Sequence, residues 1–369
     1  MKRLKLKLAS KYLLLVTGIR LKIARIKRLR GVAFSGVAVV LLGLVALPHA
    51  AVAGQPLSGA GSTFVYPVMT KWSYDYERKT GVKINYQPIG SGGGIQQIIA
   101  KTVDFGASDA PLTAEMMKEH GLIQMPDTSG GVAIAYNIPG VGNGLKFTPQ
   151  ILAEIYLGEI TNWNDPRIKA VNPDMKLPDF PIIVVHRSDG SGTTFIFTSY
   201  LSDISPQWAA KVGHSISVNW PVGIGGKGNP GVAGFITKTR GSIGYVELAY
   251  VLQNKMTYGP LKNKAGFFVW PTIATSQAAA STVKKVPNDF NIMFVNAPGK
   301  NSYPIAGFTY LIIYKHQTNP EKAHELLNFV KWIYTAQGQS MAKSLDYVPL
   351  PESLIKQIDR QLKEVTIKP

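Results

Sequence analysis

Between residues 181 and 201 the chain passes from a β-branched run, through a glycine-loosened turn, into a helical pattern. That succession narrows the available folds more than any other stretch. Pro181-Ile182-Ile183-Val184-Val185-His186 is short and apolar, as a buried strand is. Arg187-Ser188-Asp189-Gly190-Ser191-Gly192-Thr193-Thr194-Phe195 follows, and Thr194 to Leu201 starts a helix with Ser191 or Thr193 near its N-cap. Strand, turn and helix mouth bring free backbone N–H groups and the positive end of a helix dipole to one point beside an arginine, which is the chemistry of an anion site.

Similar alternation recurs along the chain and predicts an α/β architecture. Strands are expected at 82–86, 131–136 and 308–314. Helices are expected at 65–79, 94–101, 149–156, 194–202, 319–336 and 352–364. In the 319–336 segment Asn319-Pro320 opens the helix, and Ala323, Leu326, Leu327, Val330 and Ile333 recur at helical spacing. Trp72, Tyr74 and Tyr76 fall on the first helix and are expected in its core. Residues 54–128 and those from about 306 onward have a regular βα pattern, whereas 130–300 is richer in Gly, Pro and Asn. Two lobes follow: 54–128 with 305–369, and 129–304, with a ligand between them where interdomain clefts favour binding.

The N-terminus adds charge without adding to this fold. Residues 1–30 hold eleven Lys or Arg and no acid; an uncharged run from Gly31 to Pro48 follows, then Ala51-Val52-Ala53. Basic segment, apolar core and small-x-small site predict a secretory signal cut after Ala53. An uncleaved membrane anchor is the alternative, the run being nearly long enough to span a bilayer. Residues 54–369 keep 29 of the 40 basic side chains against 22 acidic ones. A surplus of seven suits an anion binder and does not imply nucleic acid. With Cys 0 there is no disulfide, no thiolate metal site and no lipid-anchoring cysteine, and the expected compartment is a bacterial periplasm.

Three more segments carry related logic. Gly59-Ala60-Gly61-Ser62-Thr63-Phe64 precedes the helix near Val65 and is either a donor cluster or an ordinary cap. Gly90-Ser91-Gly92-Gly93-Gly94 exposes backbone between a strand and a helix, for a ligand or for a structural turn. Asp104-Phe105-Gly106-Ala107-Ser108-Asp109-Ala110-Pro111-Leu112 places Asp109 among small apolar residues, as a partly buried carboxylate or as a turn-forming aspartate.

GAGSTF at 59–64, IGSGGG at 89–94, DFGASDAPL at 104–112 and RSDGSGTTF at 187–195 together make the chain resemble the periplasmic phosphate-binding proteins of Pst-type ABC transporters. Supporting segments are 155–158, 223–229 and 243–247. The resemblance implies a two-lobed periplasmic binding protein, type II-like, that closes by a hinge over one phosphate. Its ligand contacts fall on Thr63, Phe64 (backbone N–H), Ser91, Asp109, Arg187, Ser191, Gly192 (backbone N–H) and Thr193. Gly92 stands where members often have a second serine and His186 where a second arginine can occur, while most of 265–300 and the long basic leader depart from the pattern. Implied partners are inorganic phosphate and an inner-membrane permease with its cytoplasmic ATPase. The protein is expected to be a monomer without cofactor or metal.

The residues fit that ligand chemically. Donors around a charge are worth roughly 1.5–3 kcal/mol each, and three helix mouths supply them without crowding cations. Arg187 adds a planar fork, and Asp189 is placed to hold it. Asp109 repels an anion unless the anion offers a proton, as phosphate does at neutral pH and sulfate does not, so phosphate should be preferred. Against an enzyme, the six histidines show no paired metal spacing, no Gly-x-Ser-x-Gly elbow occurs, and Gly226-Lys227 lacks the rest of a phosphate loop. His186 alternates away from the Arg187 face of its strand. A binder of sulfate, molybdate or an organic phosphate, and a surface adhesion protein, are the remaining rivals. Lys227 is expected to be a solvated loop lysine.

Overall fold

The computed structural model describes residues 55–368; the expected leader with its cleavage site lies outside the described residues. The βα alternation opens the fold as β1 (Leu57–Gly61), the helix Tyr66–Thr80, β2 (Ile84–Gln87), the helix Ser91–Ile99 and β3 (Phe105–Ser108), with β1 parallel to β2 and β3. β4 (Leu122–Asn137) is the longest strand at 16 residues. Beyond it come β5 (Ile183–Arg187), β6 (Ile224–Gly226), β7 (Ser242–Glu247) and β8 (Thr257–Gly259). A small ribbon, β9 (Leu261–Lys262) with β10 (Phe268–Val269), precedes β11 (Ala306–Tyr314).

These strands form a nine-stranded sheet in the order β2-β1-β3-β11-β4-β7-β5-β6, with β8 also on β4. β4 joins its two halves. It pairs antiparallel with β11 as far as Gly131, opposite Ala306, and with β7 from Val132, opposite Glu247. β5 lies parallel to β6 and β7, so β1 and β3 in one half and β5 in the other all end near helix mouths. Ligands in open α/β sheets gather at such carboxyl ends.

β4 is longer than the expected 131–136 because its first half contains Pro126, Asp127 and two glycines. A register shift at Thr309/Tyr310 puts Thr128 opposite Thr309 and Pro126 opposite Tyr310, so Asp127 is the extra residue of a bulge. A bulge tolerates a proline that cannot donate to the ladder. The Asp127 carboxyl is fully buried, and neither oxygen has a hydrogen-bond partner. Burial pushes its pKa up to about 8, and the nearby Asp109 adds to the rise. The unfolded chain ionises near pH 4 while the folded chain holds the proton, so the penalty is absent below pH 4 and grows until about pH 8. Asp127→Asn should therefore gain stability over the parent between pH 5 and pH 8, by up to about 4 kcal/mol. Urea unfolding of the ligand-free protein at both pH values checks this; parallel curves would refute it.

Elsewhere the periodicities hold. The helix Pro320–Ile333 is capped by Asn319, whose side chain accepts the Lys322 N–H, and buries Ala323, Leu326, Leu327, Val330 and Ile333. On Tyr66–Thr80, Trp72 and Tyr76 are in the core as expected, but Tyr74 is 56% exposed. It lies two residues from each, on the opposite side of a 3.6-residue turn, under the Arg78 guanidinium. Lys227 is exposed, as expected.

Candidate functional site

Two helix mouths meet face to face. The helix expected from residue 94 begins at Ser91, after Gly90 at φ +90, and the helix expected from 194 begins at Gly192, with Ser191 as N-cap accepting the Thr194 N–H at 3.0 Å. Gly92 N–H donates to the Gly190 carbonyl at 2.9 Å, joining the two loops. A Cβ at residue 90 would stand 2.3 Å from Asp189 Oδ2, and one at 192 would stand 2.5 Å from Asp109 Cβ and 2.6 Å from Ser91 Oγ. Only glycine permits this approach. Of the first-turn N–H groups that lack an intrahelical acceptor, those of Gly92 and Thr194 are thus engaged, and those of Ser91, Gly93, Gly192 and Thr193 remain for a ligand.

Arg187 ends β5 and is buried. Its Nε and Nη2 donate to Asp189 Oδ1 at 2.8 Å and Oδ2 at 2.6 Å, and Nη1 reaches Thr193 Oγ1 at 3.4 Å. That engages three of the five guanidinium N–H groups and leaves two. Asp189 Oδ1 also accepts the Gly228 N–H at 2.9 Å. Burial raises the Asp189 pKa, but the Arg187 fork outweighs it and the carboxyl sits below its ordinary value. His186 turns away and stacks on Trp220, ring centroids 4.8 Å apart.

Asp109 faces this arginine from the other half of the sheet. Its backbone N–H donates to Ser91 Oγ at 3.1 Å; its Oδ1 accepts the Ser62 hydroxyl and its Oδ2 the Thr193 hydroxyl at 3.2 Å. Burial pushes its pKa up to about 6, with Ser62, Arg187 and Thr193 pulling the other way. At pH 7 it is mainly a carboxylate, and below pH 6 mainly an acid.

Three tyrosines hold the third mouth. Tyr86 OH donates to the Ser62 carbonyl at 2.8 Å, Tyr250 OH to that of Thr63 at 2.6 Å and Tyr347 OH to that of Phe64 at 2.6 Å. A planar peptide points its N–H opposite its C=O, so pinning the carbonyls of Ser62 and Thr63 sets the directions of the Thr63 and Phe64 N–H groups. The Phe64 N–H reaches Ser62 Oγ at 2.9 Å. Tyr347 OH also lies 3.2 Å from Glu247 Oε2, whose carboxyl burial holds well above the usual range.

Residues 47–337 match the PBP superfamily domain. The chain is 47% identical over 311 residues to the phosphate-binding protein PstS of Pasteurella multocida, covering 84% of this chain and 90% of that one. With PstS of Haemophilus influenzae the identity is 46% over 325 residues, 88% and 96% of the two chains. The chain belongs to the PstS family of phosphate-binding proteins. Among solved structures, a high-affinity periplasmic phosphate-binding protein bound with phosphate shares the fold at TM-score 0.67 and 21% identity, covering 83% of this chain and 93% of that one.

In this PstS-family chain, Thr63, Phe64, Ser91, Asp109, Arg187, Ser191, Gly192 and Thr193 converge on one buried locus, with Asp189 behind Arg187. Ser62, Asn229, Tyr86, Tyr250, Glu247 and Tyr347 join them without having been singled out. Ser62 and Asn229 lie inside motifs already noted, at 59–64 and 223–229. No local pattern marks the tyrosines, two of which reach their carbonyls from 187 and 283 residues away.

Proposed function

We propose that this locus takes one inorganic phosphate and that the chain is the solute-binding subunit handing it to an inner-membrane ABC importer. The observation that carries this reading is the buried Asp109 carboxylate set opposite Arg187 among helix-mouth donors. Thr63, Ser91 and Ser191 contribute hydroxyls and Thr193 does so by turning its proton from Asp109 to the ligand; Gly192 contributes its backbone N–H, Phe64 one shared with Ser62 Oγ, and Arg187 its two remaining donors. Asp109 accepts the proton that phosphate carries. A fully ionised tetrahedral anion brings no proton there and meets an unpaired buried charge. Kinship with proteins named for phosphate binding supports the same ligand and a transport role rather than catalysis.

We read the two halves of the sheet as the cores of two lobes, 54–128 with 305–369 and 129–304. The change of partner along β4 and the entry into β11 form the hinge between them. The leader directs export to the periplasm and is cut off after Ala53, and the protein works as a monomer that docks on a permease with its cytoplasmic ATPase. Among the described residues no helix is long and apolar enough to cross a membrane. Titration calorimetry of the dialysed protein at pH 7.5 tests the reading: phosphate should bind at least 100-fold more tightly than sulfate. Comparable affinities would remove Asp109 from its role, and no heat with phosphate would remove the ligand.

A further inference from the structure

Resting on the phosphate assignment above, we propose that Asn229 is the positioning residue that makes the Thr63 and Thr193 hydroxyls donors, so that Asp109 is left as the acceptor at this corner of the site. Asn229 is fully buried, the second residue of the helix Gly228–Lys238. Gly228 precedes it at φ +67, and a Cβ there would already stand 3.1 Å from Thr63 Cγ2, so the helix start closes tightly on Thr63.

The orientation of its amide is fixed by a neighbour. Oδ1 accepts the Glu247 backbone N–H at 3.0 Å. A flipped amide would set Nδ2 against that N–H, donor to donor, so Nδ2 must face the cleft. There it donates to Thr63 Oγ1 at 3.1 Å and to Thr193 Oγ1 at 3.1 Å, while the Asn229 backbone N–H also reaches Thr63 Oγ1, at 3.0 Å.

A hydroxyl has two lone pairs and one proton. Both lone pairs of Thr63 are occupied by Asn229, so its proton is the only group it can offer a ligand. Thr193 accepts from Asn229 Nδ2 and Arg187 Nη1, and its proton goes to Asp109 Oδ2. Thr63 cannot accept a proton from a ligand without abandoning a bond to Asn229, and Thr193 cannot without abandoning one to Asn229 or Arg187. The site thus distinguishes ligands through the polarity of its hydroxyls as well as through the charge of Asp109.

Thermodynamic coupling tests this. Phosphate affinity is measured for the parent, Thr63→Val, Asn229→Ala and the double variant, together with the thermal stability of each without ligand. Asn229→Ala should weaken binding about tenfold in the parent and less than threefold in the Thr63→Val background, because most of its effect passes through that hydroxyl. Equal fold-losses in both backgrounds would overturn the proposal. Should Asn229→Ala fail to fold, Asn229→Asp keeps the bond from the Glu247 N–H but turns the donor facing the cleft into an acceptor. Its loss should exceed 100-fold in the parent and shrink at least fivefold with Thr63→Val; an undiminished loss would again overturn it. Failure of the parent itself to bind phosphate would refute the ligand assignment instead, so the two failures are distinguishable.

Discussion

Asp109→Asn brings the affinities for phosphate and sulfate together: sulfate gains at least 100-fold, and phosphate loses no more than about tenfold. The carboxylate is buried, and its oxygens accept the Ser62 and Thr193 hydroxyls. An anion entering beside it must either supply a proton or leave two like charges adjacent, a cost of several kcal/mol where each ~1.4 is tenfold. Asparagine removes that charge and can turn an N–H toward sulfate, while its carbonyl oxygen still accepts the phosphate proton. Calorimetry with both anions measures the change, and an unchanged ratio would place selectivity elsewhere in the site.

The same carboxyl predicts a pH dependence with a definite sign. Its pKa is raised by burial to about 6, so it repels sulfate above pH 6 and becomes a neutral O–H donor below it. Sulfate binding to the parent protein should strengthen as pH falls from 7.5 to 5, and in Asp109→Asn it should stay flat. Stability without ligand moves the same way. An acid whose folded pKa is raised costs stability above its unfolded value and regains it on acidification, and Asp109, Asp127 and Glu247 are all of this kind. Ligand-free protein is therefore expected to be more stable near pH 5 than near pH 8.

What was legible in the sequence was local. A strand running into glycines and then an apolar helix specifies a helix mouth within a few residues, and Ser191, Gly192 and Ser91 stand where that chemistry puts them. Asp189 is two residues from Arg187, close enough for the fork to be inferred. Contacts made only by tertiary closure left no such trace. The carbonyls of Thr63 and Phe64 are held by Tyr250 and Tyr347, which any local pattern treats as ordinary core aromatics. β4 hid its first half because Pro126 and Gly130 interrupt a strand pattern, and the bulge that accommodates the proline depends on β11, far along the chain. Tyr74 was a different case: its helical phase relative to Trp72 and Tyr76 already pointed to solvent.

Arg187→Met should abolish measurable phosphate binding, a loss of at least 1,000-fold, and the reason has two parts that a second substitution separates. Removing the guanidinium takes two donors and a positive charge from the ligand; breaking one partner of a buried hydrogen-bonded charge pair costs ~2–5 kcal/mol or more. It also strands Asp189, whose side chain is 13% exposed and keeps only the Gly228 N–H. An uncompensated partly buried carboxylate destabilises the fold, so Arg187→Met should also lower the thermal midpoint. Adding Asp189→Asn removes the stranded charge and should restore most of that stability without restoring affinity. If the double variant recovered phosphate binding along with stability, Arg187 would be a structural partner of Asp189 and not a ligand to the anion. If Asp189→Asn alone reduced affinity about tenfold with the arginine intact, the fork at 2.6–2.8 Å would be what aims the free guanidinium edge at the cleft. On that outcome the charge at Arg187 would draw the anion in, and the carboxylate behind it would decide where that charge points.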